Sequence, residues 1–257
     1  NCCCKIKRNY GNLIMKDNIP EFDVLPQHIG FIMDGNGRWA KMRGLERSEG
    51  HKAGARTFRR IVEYCADVGI KHVTFYAFST ENWSRPEKEV KALMRLFKEY
   101  LLEADERERE NDIRQSRIRF IGERDKLPKD LLKLIEKAEK VSSKYSKITV
   151  NVALNYGGRA EIVHAVKDIA LKVTKGELSV DDISENLISD YIYTSGQPDP
   201  DIIVRPSGEY RLSNFLTWQS AYSEFWFSDI LWPDFKEKDL EKAIDDFLKR
   251  NRRFGGV

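Results

Sequence analysis

Short apolar runs that end in polar, glycine-bearing turns alternate along this chain with longer stretches whose apolar residues recur every three or four positions. Gly30–Met33, His72–Phe78, Arg117–Ile121, Ile148–Leu154 and Asp201–Val204 read as strands, with Phe225–Ile230 as a sixth candidate. Between them, Glu49–Val68 carries Ala53, Phe58, Ile61, Val62, Cys65 and Ala66 at helical spacing and stops at Gly69. Val90–Ala104, Lys129–Ser143, Arg159–Val173 and Lys236–Lys249 repeat that pattern, Ser179–Tyr191 reads as a short helix, and Ser84 with Glu87 forms a capping-box pattern around Pro86. Parallel neighbours need a crossover, which these helices can supply, so the expectation is an α/β fold with a central, mostly parallel sheet flanked by helices. Ligands of such sheets bind outside the carboxyl ends of the strands, and the polar clusters Asp34–Arg38, Ser79–Arg85, Asn155–Arg159 and Arg205–Ser213 all fall there.

With 257 residues, no internal repeat and no low-complexity linker, the chain reads as a flexible segment over 1–22 followed by a single domain over 23–257. A hydrophobic share of 41% against 33% charged residues is that of a soluble globular protein, and no apolar run approaches the length of a membrane span. The amino-terminal stretch lacks the apolar core of a signal peptide, so a cytoplasmic protein is expected. A net charge of +3 is too small to imply nucleic acid. Cys2, Cys3 and Cys4 are consecutive and lack zinc-site spacing, which leaves open a lipidated tail; Cys65 reads as a small core residue.

The stretch H-I-G-F-I-M-D-G-N-G-R-W, His28–Trp39, concentrates the chemistry. Gly35 and Gly37 allow a tight turn and close backbone approach to a ligand, Arg38 offers a guanidinium fork suited to phosphate, and Asp34 is placed to hold a divalent cation. An ordinary turn capped by Asp34 would need the same residues. Arg47 and His51, four apart, share a face if that segment is helical and could grip the same phosphate; a solvated surface turn is the alternative. Arg205, Arg211 and Ser213 around a glycine turn suggest a second anionic site. Glu224 lies among Trp218, Tyr222, Phe225, Trp226 and Phe227, where a carboxylate needs a partner or a metal. The apolar stripe of Val90–Ala104 is usable either for the core or for a groove holding an aliphatic chain. Two phosphorylated ligands, a divalent ion and a chain-shaped apolar substrate are the combined expectation.

The motifs H-I-G-F-I-M-D-G-N-G-R-W-A-K, G-H-K-A-G at Gly50–Gly54, Y-A-F-S-T-E-N-W-S-R-P at Tyr76–Pro86, N-Y-G-G-R at Asn155–Arg159, R-P-S-G-E-Y-R-L-S-N-F at Arg205–Phe215 and L-W-P-D-F at Leu231–Phe235 closely resemble those of the cis-prenyltransferases, the undecaprenyl and dehydrodolichyl diphosphate synthases. The resemblance runs in the family's order from His28 to Gly256. It implies a sheet-and-helix fold with a hydrophobic tunnel, a homodimer, and Mg2+ as cofactor. The implied activity is repeated condensation of isopentenyl diphosphate onto an allylic diphosphate, farnesyl or geranylgeranyl diphosphate, giving a long polycis-polyprenyl diphosphate that precedes a glycosyl carrier lipid. By resemblance, Gly35, Asn36, Gly37, Arg38, Trp39, Arg47 and His51 bind the allylic diphosphate, and Ser79, Thr80, Glu81, Trp83 and Arg85 form the central substrate loop. Arg205, Arg211, Leu212 and Ser213 match the isopentenyl diphosphate site, Asp34 and Glu224 the magnesium carboxylates, and Asp34 with Asn82 the catalytic pair. Ile148 matches a bulky residue at the tunnel floor, and Arg252–Gly256 a tail that serves a neighbouring subunit.

Two departures stand out: Pro206 replaces the common threonine of R-T-S-G-E, and Glu89–Gly122 is about three residues longer than in the bacterial undecaprenyl pattern, as in long-chain members. The rival implied by the family is a non-catalytic partner subunit, against which the intact D-G-N-G-R counts. Peripheral membrane contact for product release is left open.

Overall fold

The computed structural model describes residues 25–110 and 115–250, without the side chains of 104–110. The amino-terminal segment, Cys2–Cys4 and the Arg252–Gly256 tail lie outside the described residues.

Among the described residues, six strands form one sheet in the order β3-β4-β2-β1-β5-β6: β1 (His28–Ile32), β2 (His72–Ser79), β3 (Ser116–Ile121), β4 (Ile148–Tyr156), β5 (Ile202–Arg205) and β6 (Glu224–Phe227). Every described pairing is parallel. The helices are α1 (Asn36–Met42), α2 (Arg47–Val68), α3 (Glu87–Glu110), α4 (Lys129–Ser142), α5 (Gly158–Thr174), α6 (Glu185–Tyr191) and α7 (Glu237–Leu248). The chain leaves β1 toward β2 on one side and later returns to β1's other side with β5. The order therefore reverses at the β1–β5 seam, the place where open α/β sheets bind ligands.

Alternation along each strand sorts the core into two layers. Ile29, Phe31, Val73, Phe75, Ile148, Val150, Val152, Ile202 and Val204 pack on one face with Ile61, Tyr64 and Cys65 of α2 and Leu240, Ile244 and Phe247 of α7. Ile32, Ala153, Tyr156 and Ile203 pack on the other with Phe215 and Leu216. A third cluster joins Phe78 and Leu154 to Val90, Leu93 and Met94 of α3 and Leu131 and Ile135 of α4. Cys65 is fully buried in the first layer, as a small core residue.

The structure departs from the sequence expectations at the joints. Residues expected to form a turn after β1 instead start α1. Gly35, at φ 97°, adopts the left-handed conformation that swings the strand directly into that helix, and its carbonyl accepts the first helical bond from the Trp39 N–H at 2.8 Å. The Ser179–Tyr191 helix is a short 3-10 turn followed by α6. The expected cap at Ser84 is absent: α3 starts at Glu87, with the Glu89 and Val90 N–H groups on the Pro86 carbonyl, so Ser84 lies before the cap position and its hydroxyl donates to the Glu81 carbonyl at 2.7 Å. The capping box lies one turn earlier: Ser79 and Asn82 bracket a 3-10 turn over Thr80–Ser84, in which Asn82 Oδ1 accepts the Ser79 N–H at 3.2 Å.

Candidate functional site

Asp34 leaves the carboxyl end of β1 and Arg205 ends β5, so the seam itself brings them together. Arg205 donates to Asp34 Oδ2 at 2.9 Å, the Gly35 N–H donates to Oδ1 at 2.6 Å, and Arg38 stands 3.5 Å from Oδ1. Burial pushes the Asp34 carboxyl upward, but the Arg205 hydrogen bond and charge, then Gly35 and Arg38, outweigh it and hold the group below its ordinary value. Arg205 is itself buried and also donates to Ser213 Oγ at 2.8 Å and to the Arg211 carbonyl. Arg38 donates to the Ser207 carbonyl at 2.9 Å and to its hydroxyl at 2.7 Å, and Glu209 balances both Arg38 and Arg211. Pro206 leaves these anchors in place.

The G-H-K-A-G motif is explained by contact. A Cβ at Gly50 would strike the Asn36 carbonyl oxygen and one at Gly54 the Asn36 side-chain oxygen, so two glycines one turn apart let α1 lie directly on α2. On the same first turns, Arg47 pairs with Glu89 at 3.2 Å and Arg85 with the same carboxylate at 2.9 Å. His51 sits beside them, and burial first, then Arg47 and Arg85, lower its pKa to about 4 against the opposing pull of Glu89. His51 Nε2 and Asn36 Oδ1 are buried without a hydrogen-bond partner, and both residues line a cavity.

That cavity, about 380 Å³, runs between the first face of the sheet and helices α2, α3 and α4. Its walls are chiefly apolar: Ala55, Phe58 and Val62 of α2, Leu93, Leu96, Phe97 and Leu101 of α3, and Val150 and Val152 of β4. At its far end stand Lys137, Ala138, Val141, Ser142 and Tyr145. A cationic mouth with orphaned polar groups thus opens into an elongated apolar space, suited to a ligand with an anionic head and a hydrocarbon tail.

Residues 32–255 match the prenyltransferase family described as putative undecaprenyl diphosphate synthase. An isoprenyl transferase of Clostridium perfringens is 51% identical over 235 residues, spanning 91% of this chain and 92% of its own, and one of Heliobacterium mobile is 52% identical over 236 residues, spanning 91% and 88%. The chain belongs to this family of cis-prenyltransferases. Lavandulyl diphosphate synthase from Lavandula x intermedia, solved with dimethylallyl diphosphate, superposes with a TM-score of 0.86 at 37% identity over 90% of this chain and 98% of its own. A probable undecaprenyl diphosphate synthase from Campylobacter jejuni gives 0.73 at 30% identity over 91% and 100%. Membership carries the general activity, condensation of isopentenyl diphosphate onto an allylic diphosphate.

Not every residue singled out by sequence joins the cluster of this cis-prenyltransferase. Glu224 begins β6 at the amino-terminal edge of the sheet, pairs with Arg250 at 2.5 Å, and is not brought to Asp34 within the chain. The Trp39 indole donates to Asp234 at 2.8 Å and carries the Arg43 guanidinium on its ring face, which ties α1 to the L-W-P-D-F turn. Ile148 is fully buried in the core, and the cavity wall passes through Val150 and Val152 without it, so it is not the floor of this space. Of the central loop, Glu81 reaches the second side, where its carboxylate accepts from Asn214 at 2.9 Å, while Trp83 packs edge-on against Phe78 in the α3–α4 cluster and donates to Asn155 Oδ1 at 2.7 Å; Tyr76 donates to the Ser213 carbonyl at 3.3 Å. Leu212 packs against the second core layer there. Sequence reasoning passed over Glu89, Ser207, Glu209 and Asn214. Glu89 was detectable as the fourth residue after Arg85; the others depend on contacts between distant loops.

Proposed function

We propose that this enzyme elongates an allylic starter, farnesyl or geranylgeranyl diphosphate, by repeated additions of isopentenyl diphosphate to a long polycis-polyprenyl diphosphate of undecaprenyl or dolichyl-precursor type. The observation that carries this reading is the elongated apolar cavity opening at Asn36 and His51, beside the Arg47–Glu89–Arg85 cluster. In this proposal Arg38, Arg47, His51 and the Asn36–Gly37 backbone hold the allylic diphosphate with its tail in the cavity. Arg205, Arg211 and Ser213 hold isopentenyl diphosphate across the seam and aim its double bond at the allylic carbon. Fixed cations at the departing diphosphate favour its release. Asn82 Oδ1 is occupied by the Ser79 N–H, and an amide is a poor base, so Asn82 sets the loop while diphosphate oxygen takes the proton lost from C2.

Magnesium fits this donor set in the way it is usually bound beside phosphates. Asp34 offers one carboxylate kept ionised, and among the described residues no group of three His, Cys, Asp or Glu forms a cage, so substrate oxygens and water would complete the shell. When bound, the ion neutralises charge on the diphosphate.

We further propose a homodimer acting in the cytoplasm, with peripheral membrane contact at product release; among the described residues no helix is long and apolar enough to cross a membrane. The test is incubation of the purified chain with labelled isopentenyl diphosphate, magnesium and each starter, with dephosphorylated products resolved by length and double-bond geometry. No product with any starter, from a folded protein, would leave the non-catalytic partner subunit as the better reading.

A further inference from the structure

Asn214 joins, through one side chain, two loops that the proposed reaction must hold together. It directly follows Ser213, with φ 65°, a left-handed conformation that asparagine tolerates better than most residues. Its backbone carbonyl accepts the Gly158 N–H at 2.7 Å, its Oδ1 accepts the Arg159 N–H at 2.9 Å, and its Nδ2 donates to Glu81 Oε1 at 2.9 Å. The Arg159 N–H can only donate and the Glu81 carboxylate can only accept. The side chain between them must therefore present one acceptor and one donor at short, fixed reach, which the asparagine amide does. Aspartate would set carboxylate against carboxylate; glutamine would carry its amide one methylene too far. Burial pushes the Glu81 carboxyl upward, and the Asn214 amide is foremost among the groups that hold it below its ordinary value. Glu81, Arg159, Leu212, Asn214 and Thr217 together line a small cleft, so this joint borders open space rather than solid core.

We propose that Asn214 is a positioning residue that couples the Arg205–Ser213 anion site to the Thr80–Ser84 turn, so that seating isopentenyl diphosphate and setting that turn are one event. This rests on the reading of Arg205, Arg211 and Ser213 as the isopentenyl diphosphate site. Asn214 belongs to the second face of the sheet, whereas Arg47 and His51 guard the cavity on the first. Asn214 touches neither of those two residues, so the coupling acts most directly on isopentenyl diphosphate.

The test uses the full chain with saturating magnesium and initial rates measured against each substrate at saturation of the other. Asn214→Gly keeps the left-handed backbone but removes the amide; the KM for isopentenyl diphosphate should rise about tenfold or more, with kcat falling and the allylic KM within about twofold of wild type. Asn214→Asp, nearly isosteric, should be worse because it faces Glu81. Adding Glu81→Gln to Asn214→Asp restores a donor–acceptor pair with its direction reversed, and should recover most of the lost isopentenyl diphosphate affinity. Circular dichroism and thermal unfolding establish that each variant is folded. Unchanged kinetics in Asn214→Gly, equal rises in both KM values, or a double variant no better than Asn214→Asp would each overturn the coupling. A wild-type chain that transfers no prenyl group would overturn the site reading and the coupling with it; an active wild type beside unchanged variants overturns the coupling alone.

Discussion

Asp34 is placed where its own neighbours compete with any metal for it. Arg205 and the Gly35 N–H occupy one side of each carboxylate oxygen, so an incoming cation would meet an ionised, oriented group with lone pairs to spare. Asp34→Asn keeps the shape and removes the charge; condensation should fall by roughly 10²-fold or more while the unfolding midpoint moves little. Near-normal turnover under saturating magnesium would remove Asp34 from the chemistry. Two histidines give a second expectation. His28, fully buried, lies with Nδ1 2.7 Å from the Pro198 carbonyl and Nε2 2.8 Å from Thr74 Oγ1, which places its proton on Nδ1. Burial lowers its pKa to about 4 from 6.5, as it does for His51. Both folded-state values lie below the unfolded ones, so the unfolded chain takes up protons first as pH falls. Their contribution to stability is complete above about pH 6.5 and is lost progressively toward about pH 4, on the order of 3 kcal/mol each at most. Denaturant melts between pH 4.5 and 7 should show stability rising with pH; a flat or falling profile would contradict the assignment. The cationic residues were legible in the sequence because arginine near glycine has few structural uses. Glu224 was not, since its neighbours in sequence say nothing about which end of the sheet it occupies.

The strands and long helices were legible because their periodicities are strong, and the motif loops could be placed at the carboxyl ends on that basis alone. The helix α1 was not. Asn36-Gly37 has low helical propensity, and a helix this short is not stable by itself; it exists because α2 offers a surface without side chains at Gly50 and Gly54. Gly50→Ala should force α1 away, costing about 1–3 kcal/mol and weakening allylic diphosphate binding together with stability. Chemical denaturation and starter titration check both; an unperturbed variant would show that the joint is looser than its geometry. The misplaced cap at Ser84 has a similar cause. Several hydroxyl and amide residues in Ser79–Ser84 compete for the same backbone groups, and local spacing does not choose among them.

At the scale of the whole molecule, resemblance placed the end of the cavity at Ile148, but the packing of α4 over the sheet places Ala138, Val141 and Tyr145 there instead. Ile148→Ala should cost about 2–5 kcal/mol and leave product length unchanged, whereas Ala138→Phe should shorten products at nearly constant stability. Chromatography of dephosphorylated products beside unfolding curves separates the two; a length shift in Ile148→Ala would restore that residue to the wall. The two-sided sheet described above has a wider consequence. On the proposed reading, β4 sets Val150 and Val152 on the wall that meets hydrocarbon and Ala153 and Tyr156 in the layer with Phe215 and Leu216 on the side of the second anion site, so neighbouring positions in the sequence answer to different selective pressures. Starter preference and product size can then diverge along a lineage by substitutions on one side, without retuning how the five-carbon building block is recognised on the other.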